Sequence, residues 1–68
     1  MSSKESALLA LMQEEGYTMG IINLTLHVLG DEKEALDEMI LYIDDNHPNE
    51  DDFIDHLAEV CADMGIEM

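Results

Sequence analysis

The hydrophobic positions fall into four runs, separated by Gly16, by Gly30 and by the Asn46-His47-Pro48-Asn49 cluster, with Gly65 after the last. Glycine directly after a periodic run is a common helix stop. The pattern predicts helices near 3–15, 18–29, 31–45 and 50–64, with connections short enough to favour antiparallel packing of consecutive elements. In the first, Leu8, Leu11 and Met12 share a face that Ala7 and Leu9 broaden. Ser2 and Glu5 have the spacing of a capping box, in which the two residues satisfy each other's backbone amides. The fourth is cleanly amphipathic. Phe53, Leu57, Val60, Cys61 and Met64, flanked by Ile54, oppose Asp51, Asp52, Asp55, Glu59 and Asp63. Asn49 is placed to cap it and Gly65 to stop it, while residues 66–68 either fold back or fray.

The second run reads two ways. Ile22, Leu24, Leu26 and Val28 alternate with Asn23, Thr25 and His27, which is the period of a strand. A lone strand leaves its backbone groups without partners, and no other run resembles a strand. A helix is therefore expected, with Thr18 as its cap. Being apolar almost all round, it is expected to lie centrally.

In the third run Asp31 is placed to cap, and the acids that follow suit the positive end of the helix dipole. Ala35, Leu36, Met39, Ile40, Tyr42 and Ile43 form the core stripe. Leu41 breaks the pattern. At one residue per hundred degrees it falls among Glu34, Asp37, Glu38 and Asp45, where core logic alone would place a polar residue. Three roles are open to it: a lone exposed leucine, a contact beneath His47 or Ile66, or an apolar anchor ringed by charge.

Together these features predict an all-α monomeric fold, a compact four-helix domain in which residues 1–68 form one unit. Sixty-eight residues leave no room for a second core. Charge then narrows the function. Seventeen Asp and Glu face two Lys, for a net charge of −15, and most of the excess lies after residue 30. Such a surface does not displace counterions from a nucleic-acid backbone, and an anionic membrane repels it. No apolar run approaches the length of a membrane span, and no signal-peptide pattern opens the chain. A single cysteine, Cys61, cannot form an internal disulfide, which fits a reducing compartment, expected to be the cytoplasm.

Candidate chemistry is sparse, and neither a cofactor nor a metal is expected. Residues 44–52 are rich in Asp, Asn and Glu, but no register gives the alternating ligands and central glycine of a calcium-binding loop. Weak divalent binding there stays open. His56 and Cys61, five apart, do not share a helix face as zinc ligands would, whereas Asp52 and His56 can pair across one turn. Cys61 reads as a small core residue. The six methionines read mainly as core filling. No nucleophile has a base at a recognisable spacing, no glycine-rich phosphate loop is present, and the chain is short for a catalytic cleft, so an enzyme is not expected. A comparison with acyl carrier proteins fails, since no serine follows an aspartate.

The leading expectation is a non-enzymatic protein–protein interaction or regulatory module. Its acidic face on the third and fourth helices, with Glu34, Asp37, Glu38, Leu41 and Asp45 as candidate contacts, would meet a basic partner surface or a second copy. The alternative is a nucleic-acid mimic that inhibits a DNA- or RNA-binding protein by imitating its phosphate rows.

Overall fold

The computed structural model describes residues 1–67 and contains four helices: α1 (Ser3–Glu14), α2 (Met19–Leu29), α3 (Lys33–Asn46) and α4 (Glu50–Met64). Among the described residues no strand forms, so the alternation in the second run is accommodated as helix. Local signals explain most of the boundaries. Ser2 accepts from the Glu5 amide and Glu5 accepts from the Ser2 amide, completing the expected box. Asn49 accepts from the Asp52 amide at 2.8 Å and starts α4. Gly16 and Gly65 adopt positive φ of 80° and 70°. In each case the next residue donates back across the last turn, Tyr17 to Met12 and Ile66 to Cys61, and Ile66 packs against the core. Ile66 therefore folds back, whereas Met68 lies outside the described residues.

Two caps differ from expectation. Asp31 does not cap α3. The turn at Gly30 continues until Glu32 donates to the Leu29 carbonyl, and Glu32 becomes the first-turn flank without a side-chain cap. Thr18 occupies the cap position of α2, and its carbonyl accepts from the Ile22 amide, but its side chain does not cap its own helix. Its amide and hydroxyl both donate to the Glu50 carboxylate, at 3.3 and 3.2 Å. The positive end of α2 is thus met by a carboxylate from α4 instead of a local side chain.

The pairing of helices also departs from the antiparallel hairpins that short connections suggest. The most extensive contact joins α1 to α3. Lys4 pairs with Asp37 near their starts and Glu15 with His47 just past their ends, so the two run parallel. α3 packs in turn on α4, and α2 bridges α1 and α4, closing a ring in the order α1, α3, α4, α2. The longest helix, α4, spans about 22 Å, and the molecule measures 27 × 24 × 22 Å, close to isotropic.

Leu8, Met12, Ile22, Leu29, Leu36, Met39, Ile43, Phe53 and Leu57 are fully buried, drawing all four helices into one core. Tyr17, in the α1–α2 connection, joins them. Its ring lies 5.0 Å from that of Phe53 and its hydroxyl donates to the Pro48 carbonyl at 2.6 Å. Thr25, the one buried polar residue of α2, donates its hydroxyl to the Ile21 carbonyl. Cys61 is buried as expected, and burial pushes its thiol pKa up, which disfavours the reactive thiolate. The expectation that α2 lies centrally is not met. It buries Ile22, Thr25 and Leu29, while Met19 and Leu24 are 56% and 40% exposed. The helix closes the ring from the edge, with Ile21, Leu26 and Val28 partly covered against the core and only Met19 and Leu24 of its large apolar side chains left outside.

Candidate functional site

The acidic ridge of α3 contains every sequence-predicted contact residue. Glu34, Asp37, Glu38, Leu41 and Asp45 are all exposed on this helix, where spacings of three, four and seven residues make them neighbours. Leu41 is 57% exposed, which removes the reading in which it packs beneath His47 or Ile66. Asp37 holds Lys4 of α1, and Glu38 accepts from His56 Nε2 of α4 at 3.3 Å. The ridge is thus flanked on both sides by a partnered acid, with Leu41 between them and Glu34 and Asp45 above and below.

On the α4 side a second feature adjoins it. The Tyr42 and His56 rings stack with centroids 3.9 Å apart and planes 14° from parallel. His56 Nδ1 lies 3.9 Å from a Glu59 oxygen. Asp52 is not its partner, contrary to the four-residue spacing, because the imidazole turns onto α3. Tyr42, expected in the core, is half-buried under this stack. Glu38, His56, Glu59, Val60, Asp63 and Met64 line an open cleft between α3 and α4. Met64 is 39% exposed there instead of completing the α4 core stripe. The cleft exposes Met64 among Glu38, Glu59 and Asp63, while Val60 forms its buried floor, and it adjoins the Leu41 ridge through Glu38.

The residue 44–52 region folds as an acidic first turn. Glu50 is engaged by Thr18, Asn49 by the Asp52 amide and Glu15 by His47 Nδ1 at 3.0 Å. The Glu15 carboxylate holds the His47 pKa above its ordinary value, with Asp44 and Glu14 adding to the effect. Among the described residues no three His, Cys, Asp or Glu side chains converge as a metal site. His56 faces Tyr42 whereas Cys61 is in the core, so these two do not meet. Among the described residues no helix is long and apolar enough to cross a membrane.

Both lysines lie by the start of α1, where Lys4 and Lys33 line a shallow cleft with Ser2 and Ser3. The remaining surface is acidic or neutral, and folding concentrates a charge of −15 onto about 4,100 Å². Unfolding relieves part of that repulsion. Added NaCl, which shortens the Debye length to ~8 Å at 0.15 M, is therefore expected to raise the melting temperature. A melting temperature that is flat or falls between low and moderate salt would contradict this.

Comparison with protein-family models, with curated proteins and with solved structures finds no match to the chain.

Proposed function

We propose that the chain is a non-enzymatic interaction module of the cytoplasm, whose α3 ridge docks on a basic surface of a protein partner. The observation that carries this reading is Leu41, more than half exposed and surrounded by Glu34, Asp37, Glu38 and Asp45. An apolar anchor inside a polar rim is how binding energy is usually concentrated at an interface. The acids around it accelerate encounter with a cationic partner and exclude anionic ones. The neighbouring cleft adds one accessible apolar side chain from a second helix, Met64. Phosphate mimicry fits less well. A mimic presents uninterrupted rows of charge, whereas this ridge is interrupted by Leu41 and two of its acids are already met by Lys4 and His56.

Leu41→Ala is expected to leave stability within about 0.5 kcal/mol, as for most surface substitutions, and to reduce partner capture several-fold. The measurement is a denaturation curve for each variant beside quantitative pull-down from a lysate of the source organism at low and high salt. Asp45→Asn, rather than a change at the Lys4-paired Asp37, is expected to weaken capture mainly at low salt. A stability loss of ~2–5 kcal/mol for Leu41→Ala, or capture identical to wild type, would overturn the reading.

A further inference from the structure

Because α1 and α3 run parallel, the negative ends of their dipoles lie side by side. Neither helix has a basic residue in its last turn. Glu14 and Glu15 close α1 instead, and Asp44 and Asp45 lie in the last turn of α3. From α4 the first-turn acids Glu50 and Asp51 face the same junction, where they line a cleft with Glu15 and Tyr17. Both lysines are at the far end of the two helices. His27 sits at the other end of α2, and His56 is turned onto Glu38. The side chain able to carry positive charge at this end is therefore His47.

His47 caps α3 in the left-handed conformation, with φ 45° and ψ 55°, the only non-glycine residue with positive φ among those described. Glycine or asparagine serves such a turn with less strain. What the histidine adds is reach. Its Nδ1 lies 3.0 Å from a Glu15 oxygen, and the Glu15 side chain, 19% exposed, has no other polar side-chain partner among the described residues. The imidazole itself is largely open to water, so protons reach it freely. We infer that His47 is a pH-sensitive latch, whose imidazolium ties the end of α1 to the end of α3 in mildly acid solution and releases it in mildly alkaline solution.

In the protonated ring both nitrogens carry a hydrogen, so Nδ1–H donates to Glu15 while the charge is set against Glu14, Asp44 and two helix C-termini. Loss of the proton leaves a partly covered carboxylate among other carboxylates with no countercharge. The Glu15 contact raises the His47 pKa. The contribution of the latch is thus complete below the unfolded value of about 6.5 and is lost as pH rises through the higher folded value. The Tyr17 hydroxyl on the Pro48 carbonyl and Thr18 on Glu50 still join the two connections, so release loosens the junction without unfolding the domain. The cleft between the connections widens as it does so. Salt weakens the latch, because the pair is at the surface.

The test is nuclear magnetic resonance of the whole chain from about pH 5 to 9, the range that brackets histidine titration. His47 ring protons are expected to titrate above about 6.5 in wild type and close to it in Glu15→Gln. The amides of Gly16 and Tyr17 close α1 on the Gln13 and Met12 carbonyls. Their protection against exchange, corrected for intrinsic rates, is expected to fall several-fold from about pH 6 to 8. In His47→Asn, which suits the left-handed turn, and in Glu15→Gln, it is expected to stay level across that range. His47 titrating at or below about 6.5 in wild type would overturn the inference. So would an equal loss of protection in His47→Asn, which would assign it to other groups.

Discussion

Phe53→Ala is expected to leave the chain mostly unfolded at 25 °C. Phe53 has no exposed surface and is the largest of the fully buried side chains. It reaches the core from the first turn of α4 and packs against Tyr17. Truncating a buried phenylalanine costs about 3–5 kcal/mol through lost transfer energy and the cavity left behind. A single core in a chain under about 70 residues rarely supplies more than 3–5 kcal/mol in total. The two quantities are equal, so the folded population should collapse. Far-ultraviolet circular dichroism with a urea titration measures it. Phe53→Leu, which keeps most of the volume, should restore a cooperative transition. A Phe53→Ala variant that retains wild-type helicity and loses under about 1 kcal/mol would show that the core is not centred there.

The second large effect is alkaline. Burial, with Glu15 nearby, pushes the Tyr17 pKa up to about 12, against 10 in the unfolded chain. The folded state thus favours the protonated phenol. Its contribution is complete below pH 10 and is lost as pH rises through about 12. Two pKa units correspond to about 2–3 kcal/mol, a large share of the stability of so small a domain. Chemical denaturation between pH 9 and about 11.5 should show the loss. Tyr17→Phe should remove most of the pH dependence and cost about 1–3 kcal/mol at neutral pH, because the Pro48 carbonyl loses its buried donor. Equal alkaline sensitivity in Tyr17→Phe would assign the effect to other groups.

What the sequence made legible was whatever depends on a helix alone. Ser2 with Glu5, Asn49 and the glycines act within one turn, and the four boundaries fall within a few residues of expectation. Leu41 was placed on the acidic side by its angle on α3, a property that needs no knowledge of the neighbours. The illegible part depends on which helix lies opposite. Tyr17 sits between periodic runs, where periodicity carries no information, yet it anchors the core through Pro48. The turn of His56 onto Tyr42 and Glu38 follows from the α3–α4 contact, not from its own wheel position. Thr18 passed for an ordinary cap because its true partner, Glu50, is distant in the chain. The apolar character of α2 was plain, but it pointed to the centre, whereas the helix closes the ring from the edge.

The parallel alignment of α1 and α3 has a consequence for synthesis on the ribosome. The first helix finds its main partner only when residues 33–46 have emerged, because Asp37 and His47 hold its two ends. Until then the nascent chain carries α1 and the uncharged α2 without most of their cover. Closing a loop of some thirty residues before any large contact forms also lowers the folding rate relative to a helical hairpin. Helicity in arrested nascent chains should therefore appear cooperatively once α3 clears the exit tunnel, and not stepwise as each helix is completed.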